Sequence, residues 1–267
     1  MNTIPSRRVR LADIDFDQLT EEQTVERIIM ASGDGQGGWL VNPNMDVCRL
    51  ARRDPDLRSL VNQASLVIPD GMPLIWAARL RGHPRLERVT GGSLIFSLSQ
   101  AAARHGRSIY VLGGAPEVPY RAAVRLRRRY PGLAVAGADS PPFGFDSDQA
   151  MIETVRSRLT AAAPDIVYVG LGCPKRERLI AALAPLFPEA WFISLGGAVS
   201  YAAGTVRRAP RWMQQMGLAW LFRLLNEPRR LYRRYLIYDL PFAIKLLSAA
   251  TAERFGRDKG PEKDRAK

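Results

Sequence analysis

Short continuous apolar runs alternate with longer amphipathic stretches through the first two hundred residues. Trp39-Leu40-Val41, Leu66-Val67-Ile68, Ile109-Tyr110-Val111-Leu112, Leu133 to Gly137, Ile166-Val167-Tyr168-Val169 and Phe192-Ile193-Ser194-Leu195 predict strands. Their apolar positions are consecutive rather than alternate, so both faces of each strand are expected to be covered. Between them, helical spacing predicts helices near 94–105, 117–129, 149–162 and 175–185, with another from about Met45. Thr20-Glu21-Glu22-Gln23 has the form of a capping box and opens a helix through about Ala31. This βα alternation predicts an α/β fold: a Rossmann-like, mostly parallel sheet with helices on both faces. Ligands of such sheets bind beyond the carboxyl ends of the strands. Turn residues gather at those ends, in Pro69-Asp70-Gly71, Gly113-Gly114, Gly170-Leu171-Gly172 and Gly196-Gly197.

The pattern changes after Ala203. From Arg207 to Tyr235 eight arginines stand against one acid, Glu227. Pro228 suits a first helical turn, which predicts two helices, about 212–225 and 228–238. At about 100° per residue, Arg229, Arg230, Arg233 and Arg234 share one face of the second, and Leu231, Tyr232, Tyr235 and Leu236 the other. The expected organisation is an α/β core over 1–205, a basic helical appendage over 206–250, and a disordered polar tail over 251–267.

Composition sharpens this picture. The 267 residues are 46% hydrophobic and 24% charged, as in an ordinary globular chain with a real core. The net charge of +13 is unusual, and the appendage carries more than half of it. A chain this basic is expected to meet phosphate in nucleic acid, a nucleotide or anionic lipid. Two cysteines, Cys48 and Cys173, build no disulfide framework, and with only His83 and His105 no zinc cluster is expected. A reducing compartment fits. Neither a secretory signal nor a membrane-spanning run is visible in the sequence.

Several strand ends carry candidate chemistry. Asp70, after the buried run ending at Ile68, is placed to accept a proton from a substrate hydroxyl, or simply caps the next helix. Asn42 and Asn44, in Asn42-Pro43-Asn44, offer amides to sugar hydroxyls or a uracil edge, or form a turn. In Arg88-Val89-Thr90-Gly91-Gly92-Ser93, backbone amides at a helix N-terminus make an anion site, and Arg88 can pair with a diphosphate; a plain helix cap has the same sequence. Lys175 and Arg176 follow Gly170-Leu171-Gly172 and face the crevice or solvent. Gly33 to Gly38 contains G-x-G-x-x-G, but after a helix and before a strand, so a flexible loop is expected. Four D-x-D pairs (Asp13/Asp15, Asp15/Asp17, Asp54/Asp56, Asp146/Asp148) end no buried strand. The basic appendage suits an anionic membrane surface, a nucleic-acid surface, or packing on the core with solvated arginines.

The order and spacing of five blocks resemble the WecG/TagA/CpsF family of bacterial glycosyltransferases, from about Asp13 to Tyr235. The blocks are Val41-Asn42-Pro43-Asn44, Pro69-Asp70-Gly71, Glu87 to Gly91, Gly172 to Glu177, and Gly204 to Pro210 continuing into Gly217 to Arg230. The resemblance implies an inverting transfer of a sugar from a UDP-sugar to an undecaprenyl-diphosphate-linked saccharide in cell-surface polysaccharide assembly. N-acetylmannosamine is the favoured sugar; a glucosyl or uronosyl transfer, or a non-catalytic nucleotide-sugar or lipid-diphosphate binding module, are the alternatives. It implies Asp70 as general base, and Asn42, Asn44, Arg88, Thr90, Gly91, Lys175 and Arg176 around the donor. It also implies Arg223, Arg230 and Arg233 at the acceptor diphosphate. Arg176 stands where the family has Gln, which suggests either an acidic sugar or a further pyrophosphate contact. No metal or cofactor and no nucleic acid is implied. The expected location is peripheral, on the cytoplasmic face of the cell membrane, with a homo-oligomer as a further expectation.

Overall fold

A computed structural model describes residues 7–142, Gly144 and 148–257; the Asp146/Asp148 pair and residues 258–267 of the expected tail lie wholly or partly outside the described residues. The chain opens with an antiparallel ribbon, β1 (Arg8–Leu11) and β2 (Ile14–Asp17), joined by Ala12 and Asp13 at positive φ. Helix α1 (Glu21–Gly33) starts on the expected capping box: Thr20 Oγ1 accepts from Gln23 N at 3.1 Å, and Gln23 Oε1 accepts from Thr20 N at 3.0 Å.

Then come β3 (Gly38–Val41), α2 (Met45–Arg53), α3 (Pro55–Gln63), β4 (Leu66–Val67), α4 (Met72–Leu80) and α5 (Gly91–Arg104). They are followed by β5 (Ser108–Leu112), α6 (Val118–Arg129), β6 (Ala134–Asp139), α7 (Gln149–Ala162), β7 (Ile166–Val169), α8 (Lys175–Leu183), β8 (Trp191–Ser194) and α9 (Ala198–Ala203). The six strands form one parallel sheet in the order β4-β3-β8-β7-β5-β6. Successive side chains leave a strand on opposite faces, and each face has its own core. Val41, Val67, Val167 and Phe192 pack with α2, α3, α4 and α8. Leu40, Leu66, Val111, Tyr168 and Ile193 pack with α1, α5, α6 and α9. The α/β architecture with helices on both faces is therefore present. The β3, β4 and β8 ends lie side by side, so the loops after residues 41, 67 and 194 share one crevice.

The appendage departs from the two predicted helices. It contains α10 (Arg211–Gln215), α11 (Ala219–Asn226) and α12 (Pro228–Tyr232), a π-helical segment (Arg233–Asp239), and α13 (Leu240–Arg257). The break between α10 and α11 falls at Gly217, which has φ +76° and where a Cβ would stand 2.4 Å from Met72 Cγ. The chain turns where it touches α4. Helix α13 runs past the expected tail boundary at 251 because it is packed. Phe242, Ala243 and Ala250 are buried in the same core as Leu74 and Ala78 of α4, and Arg81 Nε reaches Glu253 Oε2 at 2.7 Å.

Part of the loop predicted to be flexible is fixed. Gly37 N donates to Pro188 O at 2.8 Å, and a Cβ on Gly37 would meet backbone Ala190 O at 2.4 Å. Neither backbone atom can rotate aside. Gly37→Ala is expected to cost about 1–3 kcal/mol in urea unfolding, whereas Gly172→Ala, with nothing within 4 Å of its added Cβ, is expected to stay within about 0.5 kcal/mol of the parent.

Candidate functional site

Beyond the carboxyl ends of β3 and β4 lies a cavity of about 240 Å³ with two walls. The core contributes Asn44, Asp70, Arg88, Thr90 and Tyr201; the appendage contributes Gln214, Trp220, Arg223, Arg234, Tyr235 and Asp239. Each core residue is placed by a short stretch of regular structure. Asp70 follows the buried β4 run, where its N–H donates to Pro43 O at 2.9 Å and ties the two strand-end loops together. Asn44 and Thr90 are N-caps. Asn44 Oδ1 accepts from Val47 N at 3.1 Å to start α2, and Thr90 Oγ1 accepts from Ser93 N at 3.1 Å to start α5.

Asp70 is half-buried, and its exposed part opens on the cavity. Loss of water pushes its carboxyl above the ordinary aspartate value; Arg88, Arg223, the Gly91 N–H and Arg176 pull in the opposite direction but do not cancel it. The group is thus a stronger base than a solvated aspartate, held among cations. Arg88 Nη2 also donates to Gln214 O at 2.6 Å, joining core to appendage. Arg223 sits over the Tyr201 ring at 5.8 Å, and its buried Nε makes no hydrogen bond.

Two residues expected beside a donor are turned to other work. Asn42 is buried, and its Nδ2 donates to Ile68 O at 3.0 Å and Val89 O at 2.8 Å. It does not line the cavity; it binds the β4 end to the loop carrying Arg88, and a Cβ on Gly91 would stand 3.3 Å from its Oδ1. Arg176 is also buried behind the wall. Its Nε and Nη2 reach Glu177 Oε1 at 3.0 and 2.5 Å. Its charge is therefore matched locally, which leaves little to attract an acidic sugar. Lys175 opens α8 and is exposed, away from the cavity lining.

The expected acceptor arginines separate. Arg223 lines the cavity, whereas Arg230 and Arg233 are exposed, with Arg230 Nη2 on Glu227 Oε2 at 2.6 Å. Arg234, assigned by helical spacing to the same outer face, is half-buried in the cavity wall. Tyr201, Gln214 and Asp239 carry no sequence signal of their own; they become visible only once the appendage lies across the strand ends. Asp239 is caught between Asp46, Arg234 and Arg49, and burial with the Asp46 charge beside it raises its carboxyl to about 6.

Outside the cavity the appendage is apolar and cationic together. Trp212, Met216, Leu225, Tyr232 and Ile237 are exposed large hydrophobics, interspersed with exposed Arg211, Arg229, Arg230 and Arg233. Among the described residues no helix is long and apolar enough to cross a membrane.

A sequence profile for the "Glycosyl transferase WecG/TagA/CpsF family" matches residues 9–256. An N-acetylglucosaminyldiphosphoundecaprenol N-acetyl-beta-D-mannosaminyltransferase of Bacillus spizizenii is 31% identical over 201 residues, covering 75% of this chain and 76% of the relative.

Because the Asp70 carboxyl is raised in the folded state, its ionised form costs stability above that raised pKa. The cost disappears as pH falls below the unfolded value of about 4. Asp70→Asn is therefore expected to raise the melting temperature at pH 7–8, with the gain shrinking to nothing toward pH 3 in a thermal-melt series.

Proposed function

The chain belongs to the WecG/TagA/CpsF family of glycosyltransferases, and from that premise we propose that it moves N-acetylmannosamine from UDP to a polyprenyl-diphosphate-linked saccharide at an anionic membrane surface. The observation that carries this reading is a raised carboxylate, Asp70, between Arg88 and Arg223 in a cavity closed by the basic appendage. The Bacillus spizizenii relative, named for transfer of the same sugar to a diphosphoundecaprenol-linked acceptor, supports the choice of substrates.

In this mechanism Asp70 takes the proton of the acceptor hydroxyl as that oxygen attacks the anomeric carbon from the face opposite UDP. The bond from the anomeric carbon to the β-phosphate oxygen breaks, and UDP departs with the electron pair. The proton remains on Asp70 until solvent removes it. Raised basicity favours the transfer. Negative charge growing on the leaving diphosphate falls in the field of guanidinium groups and the α5 N-terminal amides, which stabilise it most strongly where water is scarce. These cations take the role that a metal fills elsewhere, and none is called for. The appendage wall excludes water that would otherwise hydrolyse the donor. The negative end of the acceptor is held inside, while exposed Trp212, Tyr232 and the outer arginines meet lipid, an arrangement suited to a bilayer interface.

Asp70→Asn is expected to lower transfer by about 10²–10⁴-fold in an assay of UDP release with a lipid-linked acceptor, while UDP affinity measured by calorimetry changes little. Normal turnover would remove Asp70 from the base role. Replacing Arg229, Arg230 and Arg233 together with Gln should weaken binding to anionic vesicles by about a hundredfold, at about 1 kcal/mol for each basic residue at the surface. Unchanged flotation with vesicles would place the membrane contact elsewhere.

A further inference from the structure

A second cationic surface lies on the core, away from the cavity lining. Helix α6 carries Arg121, Arg125, Arg127, Arg128 and Arg129 with no acid between them, and all five are exposed. Val118, Ala122, Ala123 and Leu126 bury the opposite face in the core. At about 100° per residue, Arg121, Arg125, Arg128 and Arg129 fall within roughly 100° of one another. Cations in the last turn complement the helix dipole, which accounts for Arg127, Arg128 and Arg129. It does not account for Arg121 and Arg125 farther up the helix. Among the described residues, the side chains of Arg121, Arg125, Arg127 and Arg128 form no hydrogen bond or ion pair. Like charges at i, i+4 spacing repel, so the face is unfavourable unless an anion meets it.

A chain of contacts joins this face to the appendage. The Arg125 guanidinium lies against Gly204, where a Cβ would stand 2.8 Å from Arg125 Cζ. Gly204 ends α9 and begins the segment that leads to α10. The Arg129 guanidinium lies 5.3 Å from the centre of the Phe96 ring, and Arg208 lies at the same distance from that ring. Arg208 Nη2 in turn reaches Gln214 Oε1 of α10 at 3.1 Å, and exposed Arg211 and Trp212 open that helix. Positive charge is crowded along this line. Burial, with Arg129 and Arg211 beside it, holds the Arg208 guanidinium below the usual arginine range, against the opposite pull of Tyr201 and Glu21.

Many anions spread over a plane fit this surface better than one bound group. The α6 guanidinium groups are strung along about 12 Å of helix and surround no pocket. An anionic bilayer presents many headgroup phosphates at once and attracts each basic residue near it. Nucleic acid also presents phosphates, but the α6 face runs on through Arg208 to exposed Trp212, a residue suited to a bilayer interface. We propose that the exposed face of α6 is a second contact with the anionic membrane surface, continuous with the outer face of the appendage, and that the two together fix how the core stands over the bilayer. Resting on the membrane location proposed above, this contact adds the core to a surface otherwise supplied by the appendage alone.

The test uses the full chain with Arg121, Arg125, Arg128 and Arg129 replaced together by Gln, and phosphatidylcholine vesicles with or without phosphatidylglycerol. Affinity for the anionic vesicles, read by flotation without turnover, is expected to fall about tenfold or more. Any binding to the neutral vesicles should be unchanged, and the same four positions changed to Lys should keep most of the parent affinity. UDP release with UDP-N-acetylmannosamine and N-acetylglucosamine linked to farnesyl diphosphate in neutral detergent micelles should stay within about twofold, because exposed charges distant from the site are screened. The Arg125/Arg129 and Arg121/Arg128 double Gln variants, each with part of the loss, carry the test if the fourfold variant melts below the assay temperature. Parent-like affinity for anionic vesicles in the folded Gln variants would overturn the proposal. So would a loss of affinity for a DNA duplex with none for vesicles, which would assign the face to nucleic acid, or an equal loss of turnover in micelles, which would assign α6 to the site. A parent chain that floats with anionic vesicles but releases no UDP would remove the transferase reading and leave this contact to be decided by flotation. A parent that floats with neither kind of vesicle would remove the membrane location and this contact with it.

Discussion

The site depends on holding one carboxylate away from water and among cations. Burial opposes ionisation, because charge is poorly solvated away from water. The opposing attractions come from Arg88 foremost, then Arg223, the Gly91 N–H and Arg176. None of these is placed by Asp70 alone. Gly91 is brought into position by Asn42, whose amide grips the carbonyls of Ile68 and Val89. Arg223 arrives only if the appendage lies across the strand ends, where Gly217 lets the chain touch Met72 and Arg88 anchors Gln214. The balance of burial and attraction at Asp70 is a property of core and appendage together. A core without its appendage would keep the carboxylate and lose much of its cationic surroundings and its shelter from water.

Much of the fold is legible in the sequence because burial on both faces leaves a simple signature. Strands β3, β4, β5, β7 and β8 coincide with consecutive apolar runs, the edge strand β6 is only partly buried and runs on to Asp139, and α7 coincides with its predicted limits. The β1–β2 ribbon is not so plain. Its alternating Val9, Leu11, Ile14 and Phe16 are all buried, but the turn uses Ala12 and Asp13 at positive φ rather than the Asn-Gly type that announces a hairpin. The break at Gly217 and the extension of α13 are invisible for a different reason. Both follow from contact with α4, more than 140 residues earlier in the chain, and no local pattern records a distant neighbour.

The site divides along the same line. Asp70, Asn44, Arg88 and Thr90 stand at strand ends and helix caps, where local sequence dictates direction, and all four line the cavity. Asn42 and Arg176 have the right chemistry at the right strand ends but are satisfied within the protein, by two carbonyls and by Glu177. Residue type and spacing distinguish a side chain that meets a ligand from one that braces the loop only when its partners are known. Glu177 adjoins Arg176 in sequence, so that pairing had a faint local trace; the Asn42 contacts, 26 and 47 residues away, had none.

The appendage arginines show how backbone winding can sort residues of one type into different tasks. An α-helical wheel places Arg230, Arg233 and Arg234 together as a single cationic face. With a π-helical segment from Arg233, Arg230 and Arg233 stay in solvent among exposed Tyr232 and Ile237, and Arg234 enters the cavity wall against Asp46 and Asp239. π-helical turns are costly departures from the α-helix and recur at functional sites. Here one basic segment presents guanidinium groups both outward, to solvent, and inward, into the cavity wall. A regular α-helix through 233–239 would separate Arg234 from Asp239 and loosen the ion pairs that tie the appendage to Asp46 and Arg49 of α2. The positive charge of this segment is therefore divided between an outer surface and the cavity.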